Sequence, residues 1–230
     1  MLRLFAIFLL ALPLQLAAQL PSVTPAMVYT GEDGTETEES AYDGDAPFTA
    51  TFKAQPSDVG DYTGIYEWQF TRQGESTPFL RRYEEDTQYT FNESGTYSVV
   101  LLATFVLGTD TLQYDQSDGG EAFTVTISES KLEVPNAFTP NGDGVNDVFR
   151  VKEGYKSIIS FKARVFDRWG KKLYEWDNPA GGWDGKGPGG NAPDGAYYLN
   201  IEAKGADGKK YNIKKVINLL RGYTEKDSLN

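Results

Sequence analysis

The 230-residue chain contains no cysteine and no histidine. Without a thiol or an imidazole there is no cysteine nucleophile, no Ser-His-Asp triad and no ordinary zinc site. No disulfide can form either, so any core must hold by packing alone, as units of about 100 residues can. Carboxylate-only chemistry of the glycosidase kind survives these exclusions, as do oxygen-ligand sites for calcium. Pairs such as Glu84-Glu85 and Asp43-Asp45 do not identify a glycosidase dyad, because 33 acidic residues produce adjacent acids by chance. No enzymatic role is expected. Long apolar runs are also lacking: beyond the first residues none is long enough to cross a bilayer as a helix.

The exception is the start, MLRLFAIFLLALPLQLAAQ. Arg3 precedes an apolar run from Leu4 to Leu14, and Ala17-Ala18 supply small residues before Gln19. This is the pattern of a secretory signal peptide over residues 1–18, which implies export across the inner membrane. The run is short and broken by Pro13, which argues against a membrane anchor, and without cysteine there is no site for a lipoprotein lipid.

Charge divides the remainder. Gln19 to Ser130 holds 20 acidic and 4 basic residues, whereas Lys131 to Asn230 holds 13 acidic and 17 basic. A shift that abrupt places a domain boundary near Ser130. The acidic half argues against nucleic acid as a partner, since phosphate binding needs clustered cations.

Residues 19–45 include GEDGTETEES at Gly31–Ser40 and are poor in apolar side chains. They are expected to form an acidic, flexible leader without helix or strand. From residue 46 to 130 a period of two takes over. Phe48, Ala50, Phe52 and Ala54 alternate with polar residues, as do Tyr66, Trp68 and Phe70. Val99 to Val106 is apolar on both parities, which predicts a central strand covered on both faces. Thr109-Asp110 turns the chain back through Leu112 and Tyr114, and Phe123, Val125 and Ile127 close the unit.

Residues 131–221 show the same period. Phe161, Ala163 and Val165 face one way, and Tyr197, Leu199, Ile201 and Ala203 form a second inward row. Asp207-Gly208 predicts a hairpin into Tyr211–Leu220. About seven short strands result, at the spacing of a β-sandwich. The expected fold is therefore all-β: two immunoglobulin-like β-sandwich domains in tandem after a signal peptide. Residues 222–230, GYTEKDSLN, lack alternation and are expected to fray.

Three features of the second half invite a functional reading. TPNGDGVND places Thr139, Asn141, Asp143 and Asp147 at alternating ligand positions of a calcium loop, with Gly144 at the sharp turn. Arg150 stands where an EF-hand needs its bidentate Glu, so a full EF-hand is rejected. A partial calcium site through Asn141, Asp143, Asp147 and a backbone carbonyl stays open, beside the simpler reading of a turn pinned by its own side chains. The cations Lys162, Arg164, Arg168, Lys171 and Lys172, with Arg221 at the end of the last strand, form a candidate docking surface. A solvated strand face explains them equally well. Trp169, Trp176 and Trp183 are expected to pack inward.

Taken in order, PNAFTPNGDGVNDVF at Pro135–Phe149, VFDRWGKKLYEW at Val165–Trp176, GWDG at Gly182–Gly185, PDGAYY at Pro193–Tyr198 and Leu219-Leu220-Arg221 resemble a known domain. It is the gliding-motility-associated C-terminal domain of Bacteroidetes, the type B sorting signal of the type IX secretion system. The resemblance implies delivery to the outer membrane or cell surface, with the type IX translocon and an outer-membrane protein of the PorP/SprF type as partners. In the first half, YEWQF at Tyr66–Phe70 followed by YTFNESGTYSVVLLAT at Tyr89–Thr104 resembles a PKD-type immunoglobulin-like domain, with the acidic-glycine turn of that family replaced by Thr71-Arg72-Gln73-Gly74. The expected role is a non-enzymatic exported surface protein without cofactor. The alternatives are a small component of the secretion system in envelope signalling, such as PorA, or a calcium- or glycan-binding adhesin.

Overall fold

Alternation of apolar and polar side chains becomes strand after strand. The computed structural model describes residues 19–31, 33–116 and 120–222; the signal-peptide stretch and residues 223–230 of the tail lie outside them. The first half contains β1 (Ser22–Val23), β2 (Ala26–Thr30), β3 (Glu36–Glu38), β4 (Ala41–Gly44), β5 (Phe48–Lys53) and β6 (Pro56–Ser57). It continues through β7 (Thr63–Arg72), β8 (Leu80–Arg82), β9 (Asp86–Phe91), β10 (Gly95–Leu107), β11 (Asp110–Asp115) and β12 (Phe123–Ile127). The second half contains β13 (Ala137–Phe138), β14 (Phe149–Arg150), β15 (Ile158–Phe166), β16 (Lys172–Trp176) and β17 (Gly182–Trp183). It ends with β18 (Lys186–Gly187), β19 (Gly190–Asn191), β20 (Gly195–Gly205) and β21 (Lys210–Leu219).

These strands build two immunoglobulin-like β-sandwiches in tandem, and the chain is all-β. In the first, the sheet β4-β12-β10-β7-β8 packs on β3-β2-β5-β9, with β11 paired to the far half of β10. Phe52 from one sheet meets Trp68 from the other at 5.8 Å between ring centroids, inside a core that also takes Phe70, Phe91 and Phe123. The second is built on the sheet β13-β21-β20-β15-β16, capped by the short pairs β14-β17 and β18-β19. Its core centres on Phe138, Phe149, Trp183, Leu199 and Ile201.

Both sandwiches share a feature that alternation does not reveal. Tyr97 Oη donates to the Glu93 carbonyl at 2.8 Å, and Tyr197 Oη donates to the Pro193 carbonyl at 2.6 Å. Each tyrosine follows a glycine at positive φ, Gly95 at +134° and Gly195 at +149°. A tyrosine hydroxyl bonded to backbone a few residues upstream is the tyrosine corner of immunoglobulin-like folds. The signals are ESGTY and PDGAY, where only glycine takes the required backbone cheaply.

Two expectations are corrected here. Residues 19–45 are not a strandless leader. β2 buries Ala26, Met27 and Val28 and pairs with β5, while β4 runs parallel to β12. The few apolar residues of the segment are concentrated at Val23–Val28, and the acidic run is carried by β3, an edge strand with Glu36 and Glu38 exposed. Charged side chains suit an edge, where they prevent further pairing. The second correction concerns β10, which is central but not covered on both faces. Val99, Leu101, Ala103 and Phe105 are buried, whereas Val100, Leu102, Thr104 and Val106 are half-buried. One face of an antiparallel sheet can meet water without cost to its ladder.

The two sandwiches meet through a polar seam. Ser157 Oγ accepts the Ala46 N–H at 3.1 Å and shares a 2.8 Å hydrogen bond with Ser128 Oγ, which in turn donates to Asp45. Ser94 N–H donates to the Ala206 carbonyl at 3.1 Å, and Ala206 and Ile159 pack against the core of the first sandwich.

Candidate recognition surface of the C-terminal unit

Side chains that are far apart in sequence meet around Arg221. Its Nη1 donates to the Pro140 carbonyl at 2.9 Å, and its Nη2 to the carbonyls of Gly185 at 2.7 Å and Ala192 at 3.3 Å. Its backbone N–H bonds both carboxylate oxygens of Asp194 at 3.1 Å. One planar guanidinium thus ties the TPNGDG, GWDG and NAPDG segments to the end of β21, a fork that lysine cannot reproduce. Gly185, at φ +79°, leaves no room for a side chain, since a Cβ there would stand 2.8 Å from Arg221 Nη2. Beneath this clasp Trp183 is fully buried, with Phe138 and Tyr197 at 5.3 and 5.1 Å, and its Nε1 donates to the Lys186 carbonyl at 2.6 Å.

The NGDGVND turn is held by its own side chains. Asp147 accepts the N–H groups of Gly142 and Gly144 at 2.7 and 2.8 Å, one on each carboxylate oxygen. These backbone donors hold the Asp147 carboxyl below the usual carboxylate range. Asn141 Oδ1 accepts from Asp143 N–H at 3.0 Å, Asp143 Oδ1 accepts from Val145 N–H at 2.8 Å, and Asn141 Nδ2 donates to Asp143 Oδ2 at 3.0 Å. Gly142 and Gly144 adopt φ of +84° and +86°. The carboxylates point at backbone donors of their own loop, the arrangement of a self-pinned turn. Among the described residues no group of three His, Cys, Asp or Glu is placed to hold a metal ion.

The six candidate docking cations fall into three settings. Lys162, Arg164 and Lys172 converge on Glu175, with N···O distances of 3.2, 3.0 and 3.3 Å, and Arg164 also reaches Glu202 at 3.3 Å. Glu175 is held down to about 2, first by its hydrogen bond with Lys162. Arg168 and Lys171 sit instead on the turn between β15 and β16, and neither has a carboxylate at ion-pair distance among the described residues. Arg221, the last of the set, spends its guanidinium on backbone carbonyls.

Trp169 overturns its expectation. Trp176 and Trp183 pack inward, but Trp169 is 82% exposed at the tip of the same turn, with the Arg168 guanidinium 5.6 Å from its ring centroid. The turn itself is fixed: Asp167 Oδ1 accepts from Trp169 N–H at 2.8 Å and Lys171 N–H at 2.9 Å. The Asp167 and Gly170 spacing carries this signal in the sequence, as an aspartate turn closed by a glycine at φ +81°. Between the tip and the loop of residues 187–196 lies a cleft of about 580 Å³.

Residues 132–219 match the CHU_C type IX secretion signal domain. No curated protein matches the chain. The match spans the whole of the Arg221 clasp except Arg221 itself. A protein with this domain is one recognised by the type IX secretion system.

Proposed function

We propose that this is a non-enzymatic, exported cell-envelope protein whose signal domain is read as a folded surface by the type IX machinery, with an outer-membrane protein of the PorP/SprF type as the docking partner. The first sandwich, similar to PKD-type domains, is the passenger. The observation that carries this reading is that four residues of the motifs are spent on contacts inside the domain. Arg221, Trp183, Asp147 and Asp194 all make contacts within the domain, so a receptor meets the surface that they shape rather than the motifs as a linear string. In the test, the chain lacking residues 131–230 stays in the periplasm, whereas the full chain becomes accessible to protease added outside intact cells. Surface delivery of the truncated chain would refute the sorting role.

The polar seam favours a second reading. Removing the signal domain at the surface would strip Ala46 N–H of its acceptor and uncover the site of Ala206. A retained domain suits a component of the secretion system itself, of the PorA kind, acting in envelope signalling. Fractionation with sequencing of the C-terminus separates the two: an intact terminus in the envelope supports the component, a processed one the cargo.

A further inference from the structure

We propose that the Trp169 indole, flanked by Arg168 and Lys171, is the anchor by which the signal domain docks onto a protein of the secretion machinery. The partner surface has an apolar pocket sized for an indole and rimmed by carboxylates. This inference rests on the sorting reading above.

An exposed tryptophan is anomalous in a domain whose core has taken its other two. Trp183 is fully buried and Trp176 is 8% exposed, against 82% for Trp169. Tryptophan and arginine together are the side chains that most often dominate binding energy at interfaces. The backbone that presents the ring is also fixed. Asp167 Oδ1 takes two backbone N–H groups of the turn, the Asp167 N–H donates to the Lys171 carbonyl at 3.0 Å, and the Gly170 N–H donates to the Asp167 carbonyl at 3.0 Å. A tip fixed in this way has little backbone freedom left to lose on binding.

Charge identifies the partner. Lys162, Arg164 and Lys172, one strand pairing away, have Glu175 as a common counter-ion, while Arg168 and Lys171 at the tip have none among the described residues. The Asp167 carboxylate beside them points at backbone donors. Two cations without an ion-pair partner, beside one carboxylate already committed to backbone donors, ask for carboxylates on the opposing surface. The apolar footprint extends beyond the ring. Phe166 at the base of the turn is in register with Tyr198, and Tyr198 with Val216. Tyr198 and Val216 are 53% and 49% exposed on the outer face of the sheet. On the other side of the tip, Leu173, Pro188, Pro193 and Tyr197 line the cleft of about 580 Å³.

The test follows the full chain in its own cells by accessibility to external protease. Trp169→Ala is expected to cut surface delivery at least tenfold, Trp169→Phe to retain most of it, and the pair Arg168→Glu with Lys171→Glu to match the alanine loss. Tyr83→Ala, at a site 67% exposed in the first sandwich, serves as the control and is expected to leave delivery unchanged. Thermal unfolding of Trp169→Ala should coincide with that of the parent, which separates docking from folding. Normal delivery of Trp169→Ala beside a delivered parent overturns the anchor and leaves the sorting reading standing. Failure of the parent itself to reach the surface overturns both. Binding of the purified parent, but not of Trp169→Ala, to protein-free vesicles of outer-membrane phospholipid would overturn the choice of a protein partner.

Discussion

Arg221 and Glu175 show how differently two charged residues of one domain are used. Arg221 satisfies three backbone carbonyls from three loops; without it the Gly185 carbonyl keeps the Ala192 N–H, while the half-buried Pro140 carbonyl and the carbonyl of buried Ala192 lose the donors described here. Such groups cost about 1–3 kcal/mol each. Arg221→Lys keeps the charge and loses the fork, so we expect the domain to melt several degrees lower in a thermal scan. Gly185→Ala should do the same, because its Cβ displaces the guanidinium and its φ of +79° is strained for alanine. Combined, the two changes should fall short of the sum, since both break one clasp. Glu175 is the opposite case: exposed, shared by three cations and held at about 2 instead of 4.5. A depressed carboxyl contributes stability fully above its unfolded value of 4.5 and loses it as pH falls towards 2. Carboxyl NMR titration should find the Glu175 midpoint near 2, moving towards 4.5 in Lys162→Met, because Lys162 is the largest cause of the shift. High salt should move it the same way, since the group is open to solvent.

Among the elements, the NGDGVND turn is decided by hydrogen bonds that a ligand would have to displace. Asp147→Ala frees the Gly142 and Gly144 N–H groups, and the melting midpoint should drop by a few degrees. A chelator should leave the parent's midpoint unchanged; a rise on adding millimolar calcium would show that the loop opens to take the ion. Strand signals were legible where apolar residues alternate over a long stretch. Phe48 to Ala54, Phe161 to Val165 and Tyr197 to Ala203 all bury the parity that alternation assigns them. They failed where composition masked position. In the Gln19–Asp45 stretch, eight acidic or small polar residues of GEDGTETEES outweigh Met27 and Val28 in any average, yet those two reach the core. For Val99–Val106 the apolar run gave a correct central strand and a wrong outer face, because β-branched residues also suit a half-exposed sheet. Of the candidate docking residues, spacing alone could not tell Lys162 and Arg164, which share Glu175, from Arg168, which stacks on Trp169. That distinction needs the β15–β16 register, which sets Arg164 opposite Glu175.

At the scale of the whole molecule, the seam makes the two sandwiches answer to each other. Ser157 is 2% exposed and supplies the acceptor for the Ala46 N–H. Ser157→Ala leaves that buried donor unpaired, at a cost of about 1–3 kcal/mol. Calorimetry should show the melting of the first sandwich lowered by a change made in the second; an unmoved first transition would mean that the seam transmits nothing. The topology of the signal domain adds a constraint of its own. In the sheet, β21 lies between β13 and β20, and Ala137 at the start of the domain pairs with Asn218 near its end. A chain threaded through a membrane N-terminus first has no partner for β13 until β21 has followed it. Contacts of such long sequence separation form late, and a domain built on them closes as a unit. A chain clipped or terminated before β21 therefore presents no partial version of the folded surface, and closure of the sheet itself becomes the sign that the whole domain has arrived.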